Sequence, residues 1–313
     1  MSVIYLQDEK VITKIINHIN IANDFKNPVE KCGKLFEALD IIHYYYYEFR
    51  KNLNQLSINE KHDNFFDREA YIQLMLKDFT KEEKKEIIFS DDFRNFLTFR
   101  PLIMDNEIVA KLTYNKTKVS DEEIQVQSNW VHKSLIDEYE KFKRREDSTD
   151  KIISKFSKLI YVVRCNIKHH GKYPYGPIKI EADRDNAVCK LVNNILLKIL
   201  NILLGYPDKK VAVYGTLKKN GVNHSIIEKY NISPEMGHVK GYIEIKENLP
   251  YFIWDLDGEK IEVEMYHSLS EENFAELDKF ESLYVRILIP VYINKNIVIS
   301  NIYSVNPESN NYS

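Results

Sequence analysis

What most constrains this chain is a change of texture at Gly205-Tyr206-Pro207-Asp208. Before it, turn dipeptides are scarce and apolar residues recur at three- and four-residue spacing. One set is Leu35, Leu39, Ile42, Tyr46 and Phe49; a second is Ile152, Phe156, Leu159, Ile160, Val163 and Ile167. A third runs Val188, Leu191, Val192, Ile195, Leu196, Ile199, Ile202 and Leu203. That spacing gathers each set on one helical face, so each predicts a helix with a buried side. Beyond the break the pattern changes. Runs rich in β-branched and aromatic residues occupy 210–214, 239–245, 251–254, 261–266, 285–293 and 297–305, with turn signals such as Asp257-Gly258 and Asn294-Lys295-Asn296 between them. One helical stretch, 271–280, interrupts the series. The fold class is therefore α+β, with an all-helical bundle over residues 1–205 and a small mixed β-barrel domain over residues 206–313. A chain of 313 residues accommodates two such domains.

Composition excludes some function classes. The net charge of −3 makes no bulk electrostatic case for nucleic acid, although a local basic patch stays open. Cys32, Cys165 and Cys189 cannot all pair and have no C-x-x-C spacing, which reads as reduced thiols in a cytoplasmic protein. The opening MSVIYLQDEKVITKI is acidic early and lacks a basic region leading into an apolar run, so it does not read as a signal peptide. The longest apolar cluster, 195–204, carries Lys198 and Asn201 and is too short to cross a bilayer, so no membrane partner is expected. The run His43-Tyr44-Tyr45-Tyr46-Tyr47 falls inside the first stripe and reads as rings packed on several helix faces.

Chemistry enters with Val211-Ala212-Val213-Tyr214-Gly215-Thr216-Leu217, a buried strand running into a tight turn. Gly215 lets the backbone approach a ligand, and the amides after it can point at a carboxylate or carbonyl oxygen. A strand ending in glycine is also an ordinary turn. Further along come Leu277-Asp278-Lys279-Phe280-Glu281, Tyr284-Val285-Arg286 and Ile302-Tyr303-Ser304-Val305. The ordered set of YGTL, the glycine-flanked strand at 237–241, LDxFE, YxR and a final tyrosine-bearing strand resembles the γ-glutamylcyclotransferase-like family. AIG2-like proteins and γ-glutamylamine cyclotransferases belong to that family. The resemblance covers residues 209–306 and implies that Tyr214, Gly215, Thr216 and Leu217 bind substrate and that Glu281 is catalytic. Ser282 departs from the glycine common after the glutamate, which alters loop freedom without removing a functional group.

The chemistry implied is formation of 5-oxoproline, in which the substrate's α-amine attacks its own γ-carbonyl. The attacking amine must lose a proton and the departing amine must gain one. One carboxylate serves both steps if its pKa is raised toward neutrality, while the loop amides hold the headgroup and the developing oxyanion. No metal and no cofactor is required. In the alternative, Glu281 caps a helix or pairs with Arg286 in a domain that only binds.

A second constellation lies in the helical half. The helix beginning near Thr149 ends in Arg164-Cys165-Asn166-Ile167-Lys168-His169-His170-Gly171-Lys172. An R-x4-H spacing is common by chance. Its place at the end of an amphipathic helix, before a Pro/Gly turn and a long apolar helix, resembles HEPN domains over residues 30–204. That resemblance implies a metal-independent RNA endonuclease working as a homodimer, with Arg164, Asn166 and His169 at the site and His170 as a substitute. A histidine can carry the 2′-hydroxyl proton, and an arginine fork can hold the phosphorane. The local cations Arg164, Lys168, Lys172 and Lys179 add a site for an anion such as RNA. Alternatively Arg164 and His169 are helix-end residues favoured by the dipole.

Together the two resemblances imply a defence or toxin–antitoxin-type protein, with a γ-glutamyl small molecule and RNA as partners. The alternatives are a γ-glutamyl cyclotransferase on a helical dimerisation scaffold, and a non-catalytic interaction protein.

Overall fold

The computed structural model describes residues 8–52, 72, 75–99, 130–145, 149–169, 179–246 and 249–305. The chain divides into two compact units, one over Ile21–Leu200 and the other joining Val3–Asn20 to Asn201–Ser313. The first helix packs with the C-terminal sheet. That helix, α1 (Glu9–Asp24), buries Ile12, Ile15, Ile16 and Ile19 along one face.

The first unit is helical. It contains α2 (Pro28–Asn52), α3 (Lys81–Ile88), α4 (Asp91–Thr98), α5 (Trp130–Arg145), α6 (Thr149–His169) and α7 (Lys179–Leu203). Helix α3 begins where Thr80 and Glu83 form a capping box, and α4 begins where Ser90 caps the amide of Phe93. α6 packs against α2, α3 and α5. The core is aromatic where α4, α5 and α6 meet: Phe93 and Phe96 lie 5.1 Å and 6.0 Å from Phe156 between ring centroids, the second pair edge to face. His132 is buried there, with its Nε2 2.8 Å from the Leu97 carbonyl.

Of the tyrosine run, Tyr46 and Tyr47 are buried and Tyr44 is exposed, as expected for rings spread over several helix faces. Ala182–Leu203 is long and apolar enough by length and composition to cross a membrane, so the sequence estimate of that apolar segment was too short. More than half of it is buried within the protein, as in a core helix. Cys32, Cys165 and Cys189 are free thiols.

The second unit is built on a six-stranded sheet of β1 (Val211–Val213), β2 (Glu235–Lys246), β3 (Leu249–Trp254), β4 (Glu259–Tyr266), β5 (Val285–Ile293) and β6 (Asn296–Ser304). The order is β3-β2-β4-β1-β6-β5, and a β2–β5 pairing at His238 and Tyr292 curls the sheet into a barrel. Only β1 and β6 run parallel; the other neighbours are antiparallel.

Side chains alternate across a strand, and β1 uses both faces. Ala212 faces a core inside the barrel with Val239, Phe252, Val263, Met265, Ile289 and Ile302. Val211 and Val213 face a second core with Tyr266, Phe274, Leu277 and Tyr303. Phe274 and Leu277 belong to α9 (Glu271–Phe280), and Ile227 in the same core belongs to the short α8 (Ser225–Glu228).

α1 joins this unit through specific polar contacts. The Asn20 carboxamide donates to the Leu288 carbonyl and accepts from the Leu288 amide, each at 2.9 Å. Glu9 pairs with Lys240 at 2.7 Å and accepts from the Tyr292 hydroxyl at 2.5 Å. These two hydrogen bonds hold the Glu9 carboxyl below its ordinary range.

Candidate active site

The C-terminal unit brings a helix end and a strand end together. α9 starts with a capping box, in which Ser270 accepts from the Asn273 amide at 3.3 Å and Asn273 accepts from the Ser270 amide at 2.9 Å. Its apolar residues Phe274 and Leu277 fix its rotation on the core. Glu281 then terminates the helix: its amide donates to the Leu277 carbonyl at 2.8 Å, and its carbonyl accepts from the Tyr284 amide at 2.9 Å. The glutamate is therefore held on a tight turn between α9 and β5.

Its side chain is half-buried. Among the described residues lining the cleft it is the sole carboxylate, and no cation lines the cleft with it. Burial disfavours the charged form and pushes the Glu281 carboxyl up to about 7. Arg286 does not neutralise it. That guanidinium lies 3.4 Å from Asp278 and stacks over the Phe274 ring, while Tyr303 donates to the other Asp278 oxygen at 2.7 Å. The expected alternative of a Glu281–Arg286 pair is thus replaced by a Tyr303–Asp278–Arg286 arrangement beside the cleft.

The opposite wall is the end of β1. Gly215 has φ +64, a left-handed conformation that an L side chain rarely adopts, and it opens the 3₁₀ turn Gly215–Leu217. A Cβ placed there would sit 3.3 Å from the Pro250 ring. The amides at the start of this turn have no preceding turn to bond to, as at any helix start.

Tyr214 and Tyr284 both donate to the Pro250 carbonyl, at 3.4 Å and 3.2 Å, and Tyr214 accepts from the Phe252 amide at 3.1 Å. Burial pushes the Tyr214 and Tyr303 hydroxyls up, so both stay protonated donors at neutral pH.

The cleft between these walls holds about 180 Å³ of water-accessible space. Tyr214, Thr216, Leu217, Glu281, Tyr284 and Tyr303, all singled out in the sequence motifs, line it together. Gly215 shapes the turn behind it. Phe280 of the LDxFE motif lines it too, as do Asn223, Pro250 and Leu283, which sequence reasoning did not single out for it. Asn223 donates from its side chain to the Thr216 hydroxyl at 3.0 Å and from its backbone to the Thr216 carbonyl at 3.1 Å. No periodicity signals a loop residue of this kind.

Comparison with known proteins locates the same segment. Residues 211–313 match the family described as Gamma-glutamyl cyclotransferase, AIG2-like. This stretch is an AIG2-like domain. Solved structures similar to it include a mouse AIG2-like protein, at 23% identity and TM-score 0.28, covering 32% of this chain and 80% of that one. An uncharacterised protein of Pyrococcus horikoshii aligns at 23% identity and TM-score 0.25, covering 31% of this chain and 77% of that one. YkqA of Bacillus subtilis aligns at 27% identity and TM-score 0.28, covering 31% of this chain and 36% of that one. No curated protein matches the chain.

In the helical unit, Arg164 lies on α6 and is almost fully buried. Its fork holds Asp40 of α2 through two hydrogen bonds, 3.1 Å from Nε and 2.6 Å from a terminal nitrogen. Rather than facing solvent at a helix end, the guanidinium is spent on an interior carboxylate. His169 is the last residue of α6; the side chains of Asn166 and His169, and all of His170, lie outside the described residues. So do Lys172 and the side chains of Lys168 and Lys179. The lysine-rich cleft described in this unit lies at the other end of α6, where Lys77, Lys151, Lys155 and Lys158 surround an Asp150 already paired with Lys84.

Proposed function

We propose that the AIG2-like domain cyclises γ-glutamyl amides, releasing 5-oxoproline and an amine, with Glu281 as the proton-transfer residue. The observation that carries this reading is the half-buried Glu281, its pKa raised to about 7, in one cleft with Tyr214, Thr216 and Leu217. A carboxyl poised near neutrality can both take and return a proton at physiological pH.

In the reaction, ionised Glu281 accepts a proton from the substrate's α-ammonium. The freed amine nitrogen bonds to the γ-carbonyl carbon, whose oxygen takes up the negative charge. In this reading the amides opening the Gly215–Leu217 turn stabilise that oxygen. Glu281 then returns its proton to the leaving nitrogen as the original amide bond breaks. Ring closure also frees a second proton from the new lactam nitrogen, which the departing amine takes up. Two protons thus pass from the α-nitrogen to the leaving nitrogen, and it departs as an ammonium.

Phe280 and Leu283 give the cleft an exposed apolar rim, against which an apolar leaving amine would pack. The test is release of 5-oxoproline from a panel of γ-glutamyl amides by the purified full chain. Absence of release across the panel would leave the domain a binding module.

The ribonuclease reading of the helical unit gains no comparable support, because the Arg164 fork it requires is committed to Asp40.

A further inference from the structure

Glu264 is a buried carboxylate, 5% exposed, on the sheet wall beneath the cleft. It stands on β4 directly opposite Val213, the residue from which the chain leaves β1 for residues 214–217. Its two hydrogen-bond donors are neutral. Oε2 accepts from the backbone amide of Lys219 at 2.8 Å and from the Tyr266 hydroxyl at 3.0 Å. Tyr266 lies two residues along the same strand and faces the same core. Burial and the Glu264 carboxylate both push the Tyr266 hydroxyl up, which keeps it a donor.

Lys219 belongs to the loop that leaves the cleft. The chain there folds back on itself: a Cβ on Gly221 would meet the Thr216 carbonyl oxygen at 2.2 Å, so only glycine permits the approach. Asn223 then grips Thr216 through both its backbone and its side chain, and the His224 ring lies 3.1 Å from the Leu217 carbonyl. Residues 216–224 thus form a closed loop that places Thr216, Leu217 and Asn223 in the cleft wall. Among the described residues, its acid-held attachment to the sheet is the Lys219 amide on Glu264.

We infer that Glu264 is a positioning residue for the cleft: it clamps this loop through Lys219 and so sets affinity for the γ-glutamyl headgroup, leaving proton transfer to Glu281. The inference rests on the cyclotransferase reading for its kinetic part and on geometry alone for the clamp. Glu264 does not line the cleft, so its charge is not offered to the substrate. A carboxylate with two neutral donors and little solvent is a strong, directional acceptor. Glutamine at the same place keeps the volume and can keep both contacts through its single amide oxygen, but removes the charge that strengthens them.

The test is Glu264→Gln in the full chain, read by hydrogen exchange and by steady-state kinetics. The Lys219 amide should exchange faster, and KM should rise by about tenfold, the size of the charge contribution to a hydrogen bond. kcat should stay within about threefold, since binding rather than chemistry is loosened. The pH midpoint near 7, set by Glu281, should not move. Tyr266→Phe, which removes one donor and keeps the Lys219 contact, should show a smaller change in the same direction; it serves as the readout if Glu264→Gln does not fold.

Unchanged Lys219 exchange, or a fall in kcat at constant KM, overturns the inference. A wild-type chain that releases no 5-oxoproline removes the cyclotransferase reading instead, and the exchange result still decides the clamp.

Discussion

Asn20 and Leu288 exchange two hydrogen bonds of 2.9 Å, so that a side-chain amide in the first helix completes the backbone pairing of a strand near the end of the chain. On its other side Leu288 pairs with Asn301 of β6. Without Asn20, its amide and carbonyl would depend on water at a residue that is almost buried.

Replacing Asn20 by alanine should therefore cost about 1–3 kcal/mol, the penalty for leaving buried backbone groups unsatisfied. The measurement is hydrogen exchange at the Leu288 amide, which should lose protection selectively, together with an earlier denaturant midpoint. An Asn20→Asp variant should be worse still, because a carboxylate would face the Leu288 carbonyl.

Glu281 carries a stability signature independent of catalysis. Its folded-state pKa is about 7 against an ordinary 4.5, so the folded domain holds this proton more tightly than the unfolded chain does. The contribution favours folding fully below pH 4.5 and is lost as pH rises through 7. Glu281→Gln removes that loss. The variant should match the wild type in acid and melt at a higher temperature above pH 7; equal melting temperatures at every pH would mean the carboxyl is well solvated.

Three glycines should respond differently to alanine. At Gly33, inside α2, nothing lies within 4 Å of an added Cβ, and alanine should stabilise by about 0.5–1 kcal/mol through helix propensity. At Gly215 the positive φ should cost about 1–2 kcal/mol. At Gly221 the added carbon would collide with backbone at 2.2 Å, so that variant should be the most damaging of the three. Thermal melts rank them.

The interior pair of Asp40 and Arg164 makes a separate claim about the helical unit. Asp40→Ala strands a buried guanidinium and should destabilise by about 3–5 kcal/mol. The double replacement Asp40→Leu with Arg164→Met should recover most of that, because an apolar pair of similar volume carries no desolvation penalty. A double-mutant cycle in denaturant measures the coupling. Strong destabilisation that persists in the double variant would point to a further role for Arg164.

Much of this architecture was legible because periodicity reports burial. The strand runs, the helix at 271–280 and the break at 205 follow from apolar spacing and turn residues, and Gly205 and Tyr206 do adopt positive φ at the break. The stripe ending at Phe49 overreached, since that ring is 49% exposed: a helical period continues to the helix end whether or not a neighbour covers it.

Contacts made by a single polar side chain were not legible. Nothing local in the sequence pairs Asn20 with a strand 268 residues away, or Arg164 with a carboxylate 124 residues away. That is why α1 was assigned to the helical half and Arg164 to an exposed helix end. The cleft was readable in its motif residues and unreadable in Asn223 and Pro250, which reach it through loop geometry.

The central claim is that Glu281 moves the proton in 5-oxoproline formation, and the most direct measurement is 5-oxoproline release by Glu281→Gln beside the wild type at pH 7. The account predicts a folded variant whose rate falls by about 10²–10⁴, as for loss of a general acid–base. A folded Glu281→Gln chain that releases 5-oxoproline at the wild-type rate would contradict it.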